Sequence, residues 1–145
     1  AFLAIFLALC ISGMLDKTGI LSTLVRPLIE KCGNSTFKII ACTAVLTYIT
    51  NAIGSSMLFA SIVTAALMKD VFTINHIAPE NLSRTLEDAG TFGAVLIPWN
   101  SNAIYASQML GVAPLAFIPY CFLNYLTPII DLIYAKTGFT IKKTA

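Results

Sequence analysis

Charge is what this sequence has least of. Nine basic and seven acidic residues make up 11% of 145, against roughly 25% charged in soluble domains. None falls in residues 1–15, 39–68 or 89–130, stretches of 15, 30 and 42 residues. A spanning helix needs about 20 apolar residues, so the composition is that of a membrane protein. A net charge of +2 without a basic patch excludes a nucleic-acid partner. Histidine occurs once, and Cys10, Cys32, Cys42 and Cys121 lack CxxC or metal-type spacing. The cysteines therefore read as small buried hydrophobes, and no metal site or cofactor is expected. No nucleophile and base pair is visible, which argues against an enzyme. No basic region precedes the first apolar run, whereas a secretory leader would begin with one. Residues 1–15 accordingly read as the truncated end of a transmembrane helix, and the chain as a fragment.

The next segment differs. Residues 16–33 place Leu21, Leu24, Val25, Leu28, Ile29 and Cys32 on one helical stripe, which predicts an amphipathic helix lying in the interface. Thr18 can cap it, Gly33 can end it, and Pro27 must bend it. Residues 37–69 would make one helix about 50 Å long, too long for a hydrocarbon core of about 30 Å. Their middle reads Thr50-Asn51-Ala52-Ile53-Gly54-Ser55-Ser56, with an apolar arm on either side. At about 14 residues each, such arms predict a re-entrant hairpin whose polar tip is buried in protein or lines a wet cavity. Residues 71–88 read as a polar connection containing a solvated His76. Residues 89–110 then form a span that Ile97-Pro98-Trp99-Asn100-Ser101-Asn102 interrupts. Pro98 disfavours helix at Ile97 and frees the Ala94 carbonyl. Residues 115–135 form the last span, with Asn124, Thr127 and Asp131 on one face turned into a bundle.

Charge placement favours the hairpin over a single crossing. With a hairpin, Lys17, Arg26, Lys31, Lys38, Lys69, Arg84, Lys136, Lys142 and Lys143 share one side; with a crossing they divide four and five. The positive-inside rule then makes residues 16–38, 69–90 and the C-terminus cytoplasmic.

The two polar interruptions are the strongest chemical signal. Helix breaks at membrane depth expose unpaired N–H groups at half-helix starts and C=O groups at half-helix ends, and paired breaks mark a transporter's central site. Gly54 and Pro98 are the break residues. Asn51, Ser55, Ser56, Asn100, Ser101 and Asn102 offer neutral oxygen ligands, which suit a hard cation such as sodium by extension from calcium and magnesium. The bland alternative is that these side chains only pair helices and that Trp99 is an interface anchor. Proton coupling needs a carboxylate with tunable proton affinity. Asp88 is the preferred one, ahead of Glu87, Asp16 and Asp131, because it opens the charge-free stretch before the break. Arg84 pairing with Glu87 or Asp88 on the same turn would argue against that role.

At Leu82-Ser83-Arg84-Thr85-Leu86-Glu87-Asp88-Ala89-Gly90-Thr91, followed by Leu96-Ile97-Pro98-Trp99-Asn100, the chain resembles the C-terminal region of the NhaC family of sodium/proton antiporters. Leu110-Gly111-Val112 and Pro119-Tyr120 are similar too. The family continues after this block with a Thr and then a Gly, where this chain has Ser101-Asn102-Ala103. The resemblance implies an all-α membrane fold: one repeat of an inverted-repeat transporter, with an interfacial helix, a re-entrant hairpin and a discontinuous helix. It implies that residues 1–145 are the C-terminal part of a membrane antiporter whose N-terminal half is missing here, placed in a bacterial inner membrane. The expected activity is sodium/proton antiport by alternating access, with sodium, protons and the bilayer as partners and self-association left open. An organic-acid exchanger of malate or lactate, or an amino-acid exchanger, is the alternative on the same scaffold. A non-transporting structural subunit is the third reading.

Overall fold

The computed structural model describes residues 10, 14, 17, 18 and 35–143. The expected interfacial helix and almost all of the first helix lie outside the described residues. Every regular element described is helical, apart from an isolated bridge between Ile77 and Lys143.

Helix α1 (Thr36–Gly54) and helix α2 (Met57–Ile74) form an antiparallel hairpin. The chain reverses at Ser55, in the left-handed region at φ 54°, and Ser56, extended at φ −145°. Ser56 then caps α2 by accepting from the Phe59 N–H at 3.5 Å. Gly54 is needed at this turn, because a Cβ there would overlap the Phe59 ring at 2.1 Å. The turn falls inside the expected polar cluster, but the arms are 19 and 18 residues rather than about 14. The helices continue through their charged ends at Lys38, Lys69 and Asp70, because Lys is a good helix former and interfacial charge does not stop a helix. Each is long and apolar enough to cross a membrane.

The chain turns at Asn75 to Ala78, where an exposed His76 takes φ 53°. Helix α3 (Pro79–Leu86) follows, with Pro79 in its first turn. It runs without interruption into a π-turn (Glu87–Thr91) and a short α4 (Phe92–Ala94). The expected polar connection over residues 71–88 is thus corrected: α2 takes its first four residues, and the discontinuous helix begins at Pro79, ten residues earlier than Ala89. The charges that suggested a loop sit on exposed turns of helix, as Glu80 and Glu87 do.

The helix unwinds over residues 95–100 and resumes as α5 (Ser101–Leu110). A turn at Gly111 leads to α6 (Pro114–Phe117), a 3-10 turn (Ile118–Tyr120) and α7 (Phe122–Thr137). The chain bends by 84° between α5 and the segment Pro114–Tyr120. Residues 115–135 are not the one span expected: a 3-10 turn and the non-helical Cys121 at ψ 56° separate α6 from α7. Cys42 is disulfide-bonded, which corrects its reading as a packing hydrophobe, whereas Cys10 and Cys121 are free.

The apolar core lies at the open end of the hairpin, opposite the tip. Ile39, Ile40, Leu46, Met68, Phe72, Ile77, Leu82 and Ala135 pack there. The C-terminal tail closes this base: the Ala78 N–H donates to Lys142 O at 3.1 Å and Asn81 Nδ2 donates to the same oxygen at 2.8 Å. Lys38, Lys69, Lys136, Lys142 and Lys143 therefore cluster toward one end of the molecule.

Candidate functional site

The hairpin tip and the unwound segment touch. Asn51 lies one turn before the end of α1 and Asn100 is the N-cap of α5; both are fully buried. Asn100 Nδ2 donates to Asn51 Oδ1 at 2.6 Å. Asn51 Nδ2 in turn donates to Gly90 O at 2.9 Å, and Asn100 Oδ1 accepts from the Asn102 N–H at 3.0 Å. The backbones also bond directly, Ser101 N–H to Ser55 O at 3.0 Å, and Trp99 Nε1–H donates to Ala52 O at 2.7 Å. Trp99 is 57% exposed, so one edge of its ring clamps the tip while the rest faces outward.

This arrangement follows from local chemistry. Pro98 lacks an N–H, so the chain tightens before it: Leu96 N–H donates to Gly93 O at 3.1 Å and Ile97 N–H to Ala94 O at 3.2 Å. The Ala94 carbonyl that Pro98 was expected to free is thereby satisfied. The expectation of unpaired peptide groups is corrected here: Ala94 O is satisfied within its own segment, and Ser55 O and Ala52 O accept from Ser101 N–H and Trp99 Nε1–H of the other break. Gly90 and Gly93 let the first half-helix approach closely. A Cβ at Gly90 would lie 3.1 Å from Ser61 Oγ and 3.2 Å from Thr47 Cγ2, and one at Gly93 would lie 2.5 Å from the Tyr48 ring.

Among the sequence-predicted residues, Asn51, Ser55, Ser56, Asn100, Ser101 and Asn102 come together here. Ser56 is buried at the start of α2, Ser55, Ser101 and Asn102 are half-buried, and Asn102 Nδ2 reaches Met57 Sδ at 3.0 Å. Gly54 ends α1 and Pro98 lies within the unwound stretch. Two helix starts, α2 and α5, and two helix ends, α1 and α4, converge on this point. Positive and negative dipole ends are both present without a formal charge. Each amide oxygen uses one lone pair and retains a second, which suits a small cation, while the N–H groups at the helix starts suit a carboxylate. Among the described residues, no cluster of three His, Cys, Asp or Glu could hold a metal ion.

Asp88 does not join this cluster. It sits half-buried in the π-turn, between the tip contact and the base. The charged groups acting on it are Asp131, Arg84 and Glu87. Arg84 bridges to neither Glu87 nor Asp88, the pairing that would have argued against Asp88: its Nε bonds Asp131 Oδ1 at 2.9 Å. Thr85 Oγ1 donates to the other carboxylate oxygen at 2.7 Å, and Asp131 is only 2% exposed. The inward face of the last helix is otherwise as expected, with Asn124 Nδ2 donating to Phe92 O at 2.7 Å. Sequence reasoning missed the Arg84–Asp131 bridge, which spans 47 positions; the signal available was a lone acid in an otherwise apolar last helix.

Helices long and apolar enough to span, two breaks meeting inside protein, and a neutral polar cluster between helix ends define an integral membrane protein of transporter architecture. The chain matches the Na+/H+ antiporter family over residues 1–139 and belongs to that family. It is 29% identical over 139 residues to the Na(+)/H(+) antiporter NhaC of Alkalihalophilus pseudofirmus, covering 96% of this chain and 30% of that protein. It is 31% identical over 138 residues to the arginine/ornithine antiporter ArcD of Halobacterium salinarum, covering 93% and 28%. The malate-2H(+)/Na(+)-lactate antiporter of Bacillus subtilis is 29% identical over 138 residues, covering 95% and 29%. The chain thus spans less than a third of the length of these curated relatives. No solved structure matches it.

Proposed function

We propose that this chain is the C-terminal part of a sodium/proton antiporter that works by alternating access, with the tip–break contact forming one wall of the cation site. The observation that carries the reading is the Asn51–Asn100 bond between two helix breaks, made where both amides are fully buried. Asn51, Ser55, Ser56, Asn100, Ser101 and Asn102 supply oxygen ligands, and Asp88 is the coupling acid. The hairpin is re-entrant in this reading. Although each arm is long enough to cross, the buried tip bonded to the unwound segment supports a hairpin that ends inside the protein. The base, with its lysines, faces the cytoplasm.

The relatives named for arginine/ornithine and malate/lactate exchange support a second reading, in which the starts of α2 and α5 hold a substrate carboxylate. Proteoliposomes containing the full-length protein separate the two. Dissipation of an imposed pH gradient on adding sodium or lithium, but not malate or arginine, is the expected result; a response to the organic solutes alone selects the second reading. Asp88→Asn is expected to abolish coupling, and unchanged pH-dependent exchange in that variant removes Asp88 from the mechanism. Cysteines at Lys38 and Lys69 should label from the same, cytoplasmic side.

A further inference from the structure

We propose that Arg84 and Asp131 form a positioning pair that sets the charge state of Asp88, and so the pH at which exchange runs. The inference rests on the reading of Asp88 as the coupling acid. Arg84 lies four residues before Asp88 on the same half-helix, and it is the cation acting on that carboxylate. It is nevertheless committed elsewhere. Its Nε bonds Asp131, its Nη1 donates to Thr140 Oγ1 at 3.0 Å, and the Tyr134 ring lies 5.7 Å from its guanidinium carbon. Three residues from the last helix and the tail thus hold one guanidinium, and its Nη2 is buried without a partner. A second unpartnered buried atom, Thr127 Oγ1, sits one turn from Asp131 toward the tip.

One cation here serves two carboxylates. While the bridge holds, the guanidinium is bonded to Asp131 and not to Asp88. When Asp88 ionises, the free Nη2 is the donor nearest along the helix to receive it, at the expense of the bridge and hence of the contact between the last helix and the discontinuous helix. Glu87 also acts on Asp88 from its own turn, but it is exposed and screened. Tyr48 faces it from α1, and Tyr125 of α7 acts on Tyr48.

The test is the pH profile of sodium-driven gradient dissipation by the full-length protein in liposomes, for Asp131→Asn, Arg84→Gln and the double variant. Removing the Asp131 charge frees Arg84 for Asp88, favours the ionised carboxyl and moves the midpoint to lower pH. Removing Arg84 moves it to higher pH. Each shift is expected to be about one unit, the lower end for a close charge. The double variant leaves no unpaired buried charge, stays folded even where a single variant does not, and should return toward the wild-type midpoint. A structural role alone would lower the rate without moving midpoints in opposite directions. Unmoved midpoints, or a double variant shifted as far as either single one, overturn the positioning pair while leaving Asp88 in place. If Asp88→Asn itself keeps pH-dependent exchange, the coupling-acid reading falls and takes this inference with it.

Discussion

Two polar regions lie along the same half-helix, and they are built in opposite ways. At the tip, Asn51 and Asn100 are neutral, and they and Trp99 bond through amide, indole and backbone groups. Nearer the base, Arg84, Asp131 and Asp88 are formally charged, and Thr85 completes the carboxylate's shell. Neutral groups are the cheaper ones to bury deep in a bilayer, and they can exchange partners with a dehydrated ion without leaving a stranded charge. A charged pair costs several kcal/mol per ion to desolvate, which makes sense only where a change of charge matters. In the proposed mechanism, solute contact falls to the tip and proton sensitivity to the layer below it.

The largest effect should come from breaking the charged layer. Asp131→Ala leaves Arg84 and the Thr85 hydroxyl facing a void, and removing one member of a buried ion pair costs about 3–5 kcal/mol. Thermal unfolding in detergent should show it as the most damaging substitution in the described region. Replacing both Arg84 and Asp131 by apolar residues of similar volume should recover much of that loss while leaving pH dependence altered. If the double replacement is as unstable as Asp131→Ala, the pair matters for packing and not for its charge.

Truncation at the tip should cost less stability and more affinity. Asn100→Ala strands Asn51 Oδ1 and uncaps α5, an expected loss of about 1–3 kcal/mol. In transport assays it should raise the sodium KM about tenfold or more, leaving the pH midpoint in place. Lower stability with unaltered sodium dependence would return these asparagines to the helix-pairing role. Gly93→Ala sharpens the comparison from between the two regions. Its Cβ would meet the Tyr48 ring at 2.5 Å, overpacking that costs about 1–3 kcal/mol, and Tyr48→Ala in the same chain should relieve it.

What could be read from the sequence divides along the same line. The tip and the break announced themselves through residue types that do not belong in a continuous apolar helix: Asn51, Ser55 and Ser56 in one, Pro98 and Asn100 in the other. Turn chemistry is local, so Ser55 and Ser56 reverse the chain within the predicted cluster. The π-turn at Glu87–Thr91 has no such signature, since it depends on packing against Thr47 and Ser61. Helix boundaries were misplaced where charge was taken for loop. Glu80, Arg84 and Glu87 face outward or into a bridge on a continuous helix, and only the position of α7 decides which. Arg84 had two carboxylates within a turn of itself and chose neither, because Asp131 is held more deeply and has Thr85 beside it.

The smallest effect should fall on the hairpin's threonine stripe. Thr43, Thr47 and Thr50 are all fully buried on α1, yet each hydroxyl bonds a carbonyl of its own helix, at 2.7, 2.7 and 2.9 Å. Such back-bonding satisfies the hydroxyl without linking helices. Thr43→Val keeps the shape, returns the carbonyl to its ordinary helical bond and should change stability by less than about 1 kcal/mol. Thr50 differs, because its hydroxyl also lies 3.1 Å from Thr64 Oγ1 on the opposite arm. Thr50→Val should therefore cost more than Thr43→Val, and a double-mutant cycle with Thr64→Val should return a coupling of about 0.5 kcal/mol or more. Zero coupling would mean that the two arms are held near the tip by Asn51 and its partners alone, concentrating the mechanical link in the same side chains proposed to hold the solute.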